Sequence, residues 1–318
     1  MGFLKKFTKQ EISWMMYDWA NSAHSVIVVT ILPIFFDTVA GYTADSVSSM
    51  STWGFATSLA MAIVALSAPF LGVFGDIRGM RKKLFSFFML LGVAACAGMA
   101  FTPGMDFTSG PVAAGKVASL ILVLYIVSVI GFDASAIYYD AFLTDVTTED
   151  RMDKVSTMGY GLGYIGGSTI PLLIFLIMNL IGVPMLTCLA FVFGLTAVWW
   201  LAFSLPLLKN CEQTSGKPYE KGDVARSIKG VGTTIKEIIA NKPMLIYILS
   251  YFFYIDGVHT VISMATTYGT NLGLDSTGMM LALLLVQILG LPFCLLYIKC
   301  SEKFGARTMV GFASLRSL

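Results

Sequence analysis

Charged side chains are scarce in this sequence of 318 residues. Asp, Glu, Lys and Arg together make up 13% of it, whereas hydrophobic residues make up 56%. A soluble domain usually carries about 25% charged residues, so water cannot be the main solvent of this chain. The net charge of +2 is also too small to indicate a nucleic-acid partner.

Metal-ligating residues are equally rare. The sequence contains two histidines and five cysteines, with no CxxC pair and no HExxH motif. Cys96, Cys188 and Cys294 lie inside apolar stretches, where a thiol usually behaves as a small hydrophobic group. We therefore expect no metal site, no disulfide framework and no cofactor.

Long apolar runs are what the sequence has instead. A helix needs about 20 mostly apolar residues to cross the hydrocarbon core of a bilayer. By that rule the sequence predicts eight membrane-spanning helices. They lie at residues 14–36, 51–74, 84–102, 117–141, 157–179, 184–206, 244–269 and 278–299.

Basic residues are distributed unevenly among the loops between these spans. Of the 21 Lys and Arg residues, 19 lie on one side, which includes the N-terminus and the stretch between the sixth and seventh spans. The loops on the other side contain one, Lys116. Because cytoplasmic loops carry an excess of Lys and Arg, the sequence predicts an integral, multi-pass membrane protein with a cytoplasmic N-terminus.

A polar stretch divides the predicted spans into six and two. We expect a six-helix bundle at 1–206, a cytoplasmic linker at 207–243 and a partial second bundle at 244–318. Apolar residues recur in the linker at spacings of four and three, at Val224, Ile228, Val231, Ile235 and Ile238. This spacing predicts an amphipathic helix, which either lies on the membrane surface or packs on the bundle.

Two predicted helices carry the same polar pattern at positions i, i+3, i+4 and i+7. In the first helix the pattern consists of Asp18, Asn21, Ser22 and Ser25. In the seventh it consists of Asp256, His259, Thr260 and Ser263. The spacing places four polar side chains on one helix face, and in lipid such a face must turn toward a cavity or toward other helices.

A second repeat lies in the loops. The run Gly72–Lys83 follows the second span and Glu302–Arg307 follows the eighth, and both contain an acid-x-x-Gly-x-Arg core. Duplicated helix bundles with a site at their interface are a recurring plan of transporters. The first run resembles the loop signature of the major facilitator superfamily, and the second resembles the weaker copy of that signature.

Three further runs resemble one family within this superfamily. They are Tyr17–Ala23, Tyr138–Asp145 and Ser156–Gly167, and they are similar to the vacuolar amino-acid effluxer-like family, whose bacterial members are mostly called unknown major facilitators. The resemblance covers essentially the whole chain. Two positions depart from it, because His24 stands where an aromatic residue is expected and Asp140 stands where asparagine is expected.

The resemblance implies an all-α polytopic membrane protein with the major facilitator fold. That family has twelve helices, so we expect a complete six-helix N-terminal half plus the first two helices of the C-terminal half, in a sequence that is incomplete at its C-terminus. It also implies a protein that is monomeric at full length, lies in the lipid bilayer of a bacterial inner membrane and moves a small solute by alternating access. Amino acids are the solute class that the resemblance suggests.

The repeated loop is implied by the resemblance to be a cytoplasmic gate. The residues assigned to it are Gly72, Gly75, Asp76, Gly79, Arg81, Lys82, Glu302, Gly305 and Arg307. A solvated basic loop that only follows the distribution of positive charge is the alternative. That alternative does not account for the three glycines of the first copy.

Ionisable and polar residues within the spans are candidates for a substrate and proton pathway, because buried acids in membrane helices are costly and usually functional. They are Asp18, Asn21, His24, Asp133, Tyr139, Asp140, Asp256 and His259. For Asp18 the alternative is stabilisation by the helix dipole, since it lies one turn inside the predicted first helix. For His24 the alternative is a structural hydrogen bond.

Glycines repeat at every fourth residue of the fifth predicted span, at Gly159, Gly163 and Gly167. Small residues at this spacing allow two helix backbones to approach closely. We therefore expect a helix-packing face there, with contact between backbone and substrate as the alternative.

Asp256 and His259 are predicted to form a proton-responsive pair. Asp256 lies near the centre of the seventh span, where an ionised carboxylate is expensive, and His259 follows one turn later on the same face. This predicts that protons are the coupling ion. A static hydrogen-bonded pair that ties the helix to its neighbours is the alternative.

Together these features predict a secondary active transporter of a small polar solute rather than an enzyme. Two other classes stay open. One is a membrane sensor or scaffold built on the same fold. The other, more remote, is an intramembrane aspartyl protease that uses Asp18 and Asp76.

Overall fold

The computed structural model describes residues 6–43, 46–216, 218, 223–305 and 309. Within these residues the secondary structure is helical. The α-helices are α1 (Lys9–Ala40), α2 (Ser46–Gly75), α3 (Arg81–Met99), α4 (Pro111–Val146), α5 (Met152–Leu162), α6 (Thr169–Leu180), α7 (Met185–Asn210), α8 (Asp223–Ala240), α9 (Lys242–Asn271) and α10 (Ser276–Phe304). A π-helical segment, Gly163–Ser168, joins α5 to α6.

Eight helical stretches in the described part of the chain are long and apolar enough to cross a membrane. This confirms the predicted number of spans. The fifth stretch consists of α5, the π segment and α6 together. The remaining helix, α8, lies in the linker where the apolar spacing predicts an amphipathic helix.

The linker helix contacts the bundle. Helix α8 packs against α2 and α9, as expected if it belongs to the bundle rather than only to the membrane surface. Ile235 and Ile239 nevertheless stay exposed on it. The contacts fit the alternative in which the helix packs on the bundle, and its contact with a membrane surface stays a prediction.

Helix α1 begins earlier than the apolar pattern predicts. Thr8 is its N-cap, and its hydroxyl accepts a hydrogen bond from the backbone N–H of Glu11 while the Glu11 carboxylate accepts one from the backbone N–H of Thr8. This capping box moves the helix start to Lys9. Asp18 therefore lies about two and a half turns inside the helix, and stabilisation by the helix dipole, which acts within the first turn, does not apply.

Helix α1 is the central element of the bundle. It packs against α4, α5, α7 and the π segment, and it also contacts α9. Its buried aromatic residues belong to two apolar clusters, one around Trp14 and Tyr17 near its start and one around Phe35 and Phe36 near its end. This central position places the polar residues of α1 where several helices meet.

Helices α3 and α4 cross at close range. A side chain at Gly131 of α4 would lie 2.5 Å from the backbone nitrogen of Gly92 in α3. A side chain at Gly92 would overlap the ring of Trp200 in α7. Gly131 therefore lets α3 and α4 pack backbone to backbone, and Gly92 makes room for the Trp200 ring of α7, as small residues do in membrane helices.

Helices α9 and α10 join the bundle along one side. Helix α10 packs against α5 and the π segment, and α9 packs against α1. Large apolar side chains on α9, including Tyr247, Phe253 and Val261, are more than half exposed. These surfaces suit contact with lipid or with other apolar helices.

Candidate functional site

The polar face of α1 meets α4 through a carboxylate. The hydroxyl of Tyr139 donates a hydrogen bond of 2.8 Å to Oδ2 of Asp18. Tyr139 is buried, whereas Asp18 is partly buried. The arrangement thus holds this acid of α1 in a defined orientation.

A tyrosine next to Asp18 extends this network. The hydroxyl of Tyr17 lies 2.8 Å from Oγ of Ser135 in α4, and Nε1 of Trp200 in α7 donates to it at 3.4 Å. The ring of Trp14 stacks on Tyr139 at 4.3 Å, and its Nε1 donates to the Tyr139 carbonyl at 2.9 Å. These contacts give Tyr139, and through it Asp18, little freedom to move.

The three predicted packing glycines lie against the polar face of α1. A side chain at Gly159 would come within 2.5 Å of Oδ2 of Asp18, and one at Gly163 within 2.5 Å of Oγ of Ser22. A side chain at Gly167 would overlap the carbonyl of Trp19 in α1. Gly159 therefore brings the α5 backbone up to Asp18, and Gly163 and Gly167 bring the π segment against α1, so two groups of residues predicted separately lie together.

His24 lies at the midpoint of α1 and is 2% exposed. Its Nε2 is 3.1 Å from Oγ of Ser128, and its ring stacks against Phe132 and lies 5.1 Å from the ring of Trp200. Its Nδ1 has no hydrogen-bond partner among the described residues. The Nε2 contact fits the structural alternative, and a role of His24 in a substrate or proton pathway stays a prediction.

The other predicted residues of α1 and α4 lie around this network. Asn21 is buried, and Asp140 is exposed. Asp133 is partly buried, and its Oδ2 lacks a hydrogen-bond partner within the described part of the chain. Asp133 is thus the acid of α4 whose polar surroundings are least complete.

Of the pair predicted in the seventh span, the structure describes the side chain of Asp256 only. Asp256 lies at the midpoint of α9, and its side chain is exposed. The side chain of His259 lies outside the described residues, so the pairing stays a prediction.

Two glycines shape the loop between α2 and α3. Gly75 leaves room for the ring of Tyr138, which would be 3.0 Å from any side chain placed there. Gly79 has a φ of +82°, a conformation that other residues adopt only with strain. Gly72 has open space around it, so the structure gives no steric reason for a glycine at this position.

Arg81, the first residue of α3, is the buried cation of this loop. Its Nη1 forms an ion pair with Oδ2 of Asp145 at the end of α4 and donates to the Ala141 carbonyl at 3.0 Å. The Asp145 side chain is completely buried. Asp76 is the acid of the predicted gate motif. Its Oδ1 is 3.9 Å from Nη2 of Arg81, and its side chain is 83% exposed.

The second copy of the loop reaches the first half of the chain. Oε1 of Glu302, on α10, accepts a hydrogen bond of 2.7 Å from Nζ of Lys154 on α5. Gly305 ends α10 with a φ of +80°. Arg307 lies outside the described residues. The Lys154–Glu302 pair links the two segments on either side of the linker.

A cavity of about 810 Å³ opens between α5 and α10. Its lining is mainly apolar, with Val286, Leu289, Phe293 and Leu296 on α10, and Thr157, Tyr160, Tyr164 and Tyr297 add hydroxyl groups to it. Among the described residues no group of three or more His, Cys, Asp or Glu side chains could hold a metal ion.

Several residues of the site have no signature in the sequence that predicts their role. Asp145 stands at the end of a run used for the family resemblance, yet only the fold shows that it holds Arg81. Lys154 is one of the 19 basic residues on the predicted cytoplasmic side, and no sequence spacing connects it with Glu302. Glu11 is 1% exposed and pairs with Arg151 at 2.8 Å, and its spacing from Thr8 was the available signal for the cap.

The two acids that an intramembrane aspartyl protease would require lie in different surroundings. Asp18 is bonded to Tyr139 within the bundle, whereas Asp76 is exposed in the loop beside Arg81. Paired carboxylates that share one reaction must face each other. This geometry gives no support to that chemistry.

Comparison with known sequences gives a family match over most of the chain. The model of the family described as "Vacuole effluxer Atg22 like" matches residues 7–151 and 144–316. An uncharacterised MFS-type transporter, YxiO of Bacillus subtilis (strain 168), is 39% identical over 315 residues, which are 96% of this chain and 71% of that protein. Autophagy-related protein 22-1 of Penicillium rubens is 25% identical over 148 residues, which are 43% of this chain and 25% of that protein.

Comparison with solved structures identifies the fold. The crystal structure of a D-xylose-proton symporter matches with a TM-score of 0.61 at 16% identity, covering 93% of this chain and 69% of that one. This likeness, the eight apolar spans and the family match agree with one another. The chain therefore belongs to the vacuole effluxer Atg22-like family and has the fold of the major facilitator superfamily.

Proposed function

We propose that this protein carries a small polar solute, of the amino-acid class, across the membrane by alternating access coupled to protons. The observation that carries the proposal is the Asp18–Tyr139 pair on the central helix. An acid in a membrane helix is costly to keep ionised and is usually functional. A carboxyl group at this place can take up and release a proton as its hydration changes through the transport cycle.

The position of this acid supports a role in transport rather than in packing alone. Asp18 lies against Gly159 of α5, and α5 lines the cavity with α10. Transporters built from duplicated bundles bind their solutes between the two bundles. A proton on Asp18 would therefore be taken up close to the solute path.

Two segments are proposed to move against each other. We take 1–206 as one half, 244–318 as part of the other, and 207–243 as the cytoplasmic linker between them. The Lys154–Glu302 pair and the packing of α10 on α5 join the halves at one end of these helices. Breaking these contacts would open that end, and forming them would close it.

The remaining acids are proposed as further proton sites. Asp133 has an unpartnered oxygen in the first half, and Asp256 lies at the midpoint of α9 in the second. Asp256 with His259 would be the counterpart of Asp18 in the repeated pattern. Desolvation of a carboxylate changes as a cavity opens to either side, which allows protonation to follow the transport cycle.

A counterflow measurement tests the function directly. Protein reconstituted into liposomes preloaded with one unlabelled amino acid should take up the same labelled amino acid faster than liposomes without preload. A carrier exchanges solutes in this way, whereas a sensor, a scaffold or a protease does not. A screen across the amino acids in which preloading never accelerates uptake would contradict the proposal.

Orientation provides a second test, because we propose that the loop between α4 and α5 is cytoplasmic. A cysteine placed at Ser109 should react with a membrane-impermeant maleimide in intact cells, and one at Thr148 should react only after permeabilisation. Both positions are exposed, and the basic residues predict opposite sides for them. Labelling of the Thr148→Cys protein in intact cells would reverse the proposed orientation.

A further inference from the structure

The first residues of the linker lie on the loop between α2 and α3. We call Cys211–Gly216 the strap. It follows α7 directly, and its side chains bind three parts of the first half of the chain.

Gln213 joins the end of α2 to the start of α3. Its Oε1 accepts hydrogen bonds from the backbone N–H groups of Gly79, at 2.8 Å, and Arg81, at 3.3 Å, and its Nε2 donates to the Gly75 carbonyl at 3.0 Å. The N-cap residue of α3, Met80, makes no side-chain cap of its own. Gln213 therefore supplies from the linker a cap that the loop lacks.

Thr214 and Ser215 hold the acid that pairs with Arg81. Oδ1 of Asp145 accepts four hydrogen bonds of 2.8–3.1 Å, from the backbone N–H and the hydroxyl of each of these residues. Nη1 of Arg81 also donates to Oγ of Ser215 at 3.1 Å. One oxygen of the carboxylate thus binds the strap while the other binds Arg81.

Both ends of the strap also contact the first half of the chain. At the start, the Cys211 carbonyl accepts a hydrogen bond from Nζ of Lys82 at 3.2 Å, and the buried Cys211 thiol contacts the Gln10 carbonyl at 3.6 Å. At the end, Gly216 has a φ of +111°, and any side chain there would come within 2.7 Å of the Asp76 carbonyl. The backbone of the strap therefore lies directly on the loop between α2 and α3.

We propose that the strap is a working part of the cytoplasmic gate, in which Gln213 is a positioning residue that holds the loop Gly75–Arg81 in one shape. The linker joins the two halves covalently, so movement of the second half reaches the first half through the strap. Because the strap is bonded to Asp145 and to the loop, that movement acts on the Arg81–Asp145 pair. In this proposal the linker and the loop Gly75–Arg81 move together.

The thiol of Cys211 reports whether the strap is in place. Burial raises the pKa of this thiol to about 11, so at neutral pH it is both protonated and shielded, and alkylating agents react with thiolates. Site-resolved mass spectrometry after treatment with N-ethylmaleimide separates Cys211 from the other four cysteines. The rate at Cys211 therefore measures opening of the strap in the intact protein.

The variant Gln213→Ala should raise the alkylation rate of Cys211 about tenfold, since it removes three hydrogen bonds from the strap. Glu212→Ala is the matched control, because the adjacent residue is exposed, and it should leave the rate unchanged. A second variant, Thr214→Val with Ser215→Ala, removes the two hydroxyl bonds to Asp145 and the bond from Arg81 to Oγ of Ser215, and it keeps both backbone bonds. It should also raise the rate, and it tests the strap without touching Gln213.

A kinetic readout distinguishes positioning from general stability and rests on the proposed transport function. Both strap variants should change the maximal transport rate and leave KM unchanged, because the strap touches the gate and not the cavity. Unchanged alkylation of Cys211 in both variants, measured on folded protein, overturns the proposal. The alkylation result does not depend on transport, so a protein that moves no tested solute would count against the proposed function alone.

Discussion

Replacing Asp18 by asparagine is expected to abolish accumulation driven by a pH gradient while solute binding persists. In the starting protein a gradient of one pH unit can support about tenfold accumulation for each coupled proton, because about 1.4 kcal/mol corresponds to a factor of ten. Asparagine keeps a hydrogen-bond acceptor for the hydroxyl of Tyr139 but carries no titratable proton. Uptake into proteoliposomes with and without the pH gradient, together with solute exchange, measures both properties.

The exposed acid Asp150 provides the matched control for this variant. It lies in the loop between α4 and α5, so Asp150→Asn makes the same chemical change outside the bundle and should leave accumulation intact. If a well-folded Asp18→Asn protein still accumulated solute to the full ratio, Asp18 would have no part in coupling. Its bond to Tyr139 would then be purely structural.

Removing the carboxylate of Asp145 is expected to destabilise the fold severely. The Arg81 side chain is 6% exposed and the Asp145 side chain is completely buried, so Asp145→Ala leaves a buried guanidinium without its counter-ion. Loss of one member of a buried ion pair costs about 3–5 kcal/mol. We expect a much lower yield of monodisperse protein in detergent and a markedly lower Tm of whatever protein remains.

Asp76 offers a control that acts on the same arginine. It lies 3.9 Å from Arg81, and its side chain is 83% exposed. Exposed ion pairs contribute about 0–1 kcal/mol, so Asp76→Ala should change the Tm little. Equal destabilisation by the two substitutions would show that burial of the Arg81–Asp145 pair is not what stabilises this end of the bundle.

Asp76 and Asp145 differ in how far the sequence reveals their contact with Arg81. Asp76 is visible in the sequence because it stands among glycines and basic residues that repeat near Glu302. Asp145 is separated from Arg81 by 64 positions, and no spacing rule connects residues that far apart. Only the packing of α3 on α4 reveals which acid holds the arginine.

The start of α1 shows a different cause of error. The apolar pattern begins near residue 14, but the helix begins at Lys9 because Thr8 and Glu11 cap each other. Polar capping groups fix the residue at which this helix begins, and the length of the apolar run does not. Hydropathy alone therefore misses the first turn of the helix. The correction moves Asp18 deeper into α1 and removes the helix dipole as an explanation for it.

The glycines of the fifth span show where sequence and structure complement each other. Their spacing predicts a packing face, and the polar spacing on α1 predicts a face turned toward other helices. Neither pattern states that the two faces meet. The structure places Gly159 against Asp18 and Gly163 against Ser22, and the roles proposed for these residues stay predictions until the variants are measured.

The sequence by itself determined the number and order of the membrane spans and the polar face of α1. It also predicted the division of the basic residues between two sides. These properties follow from the length of apolar runs, from helical spacing and from charge, all of which are local quantities. The tertiary structure decided which side chains meet, including Asp18 with Tyr139, Arg81 with Asp145, and Gln213 with the loop before α3. Such partners depend on the rotation and relative height of each helix in the bundle, and many distant contacts set these together.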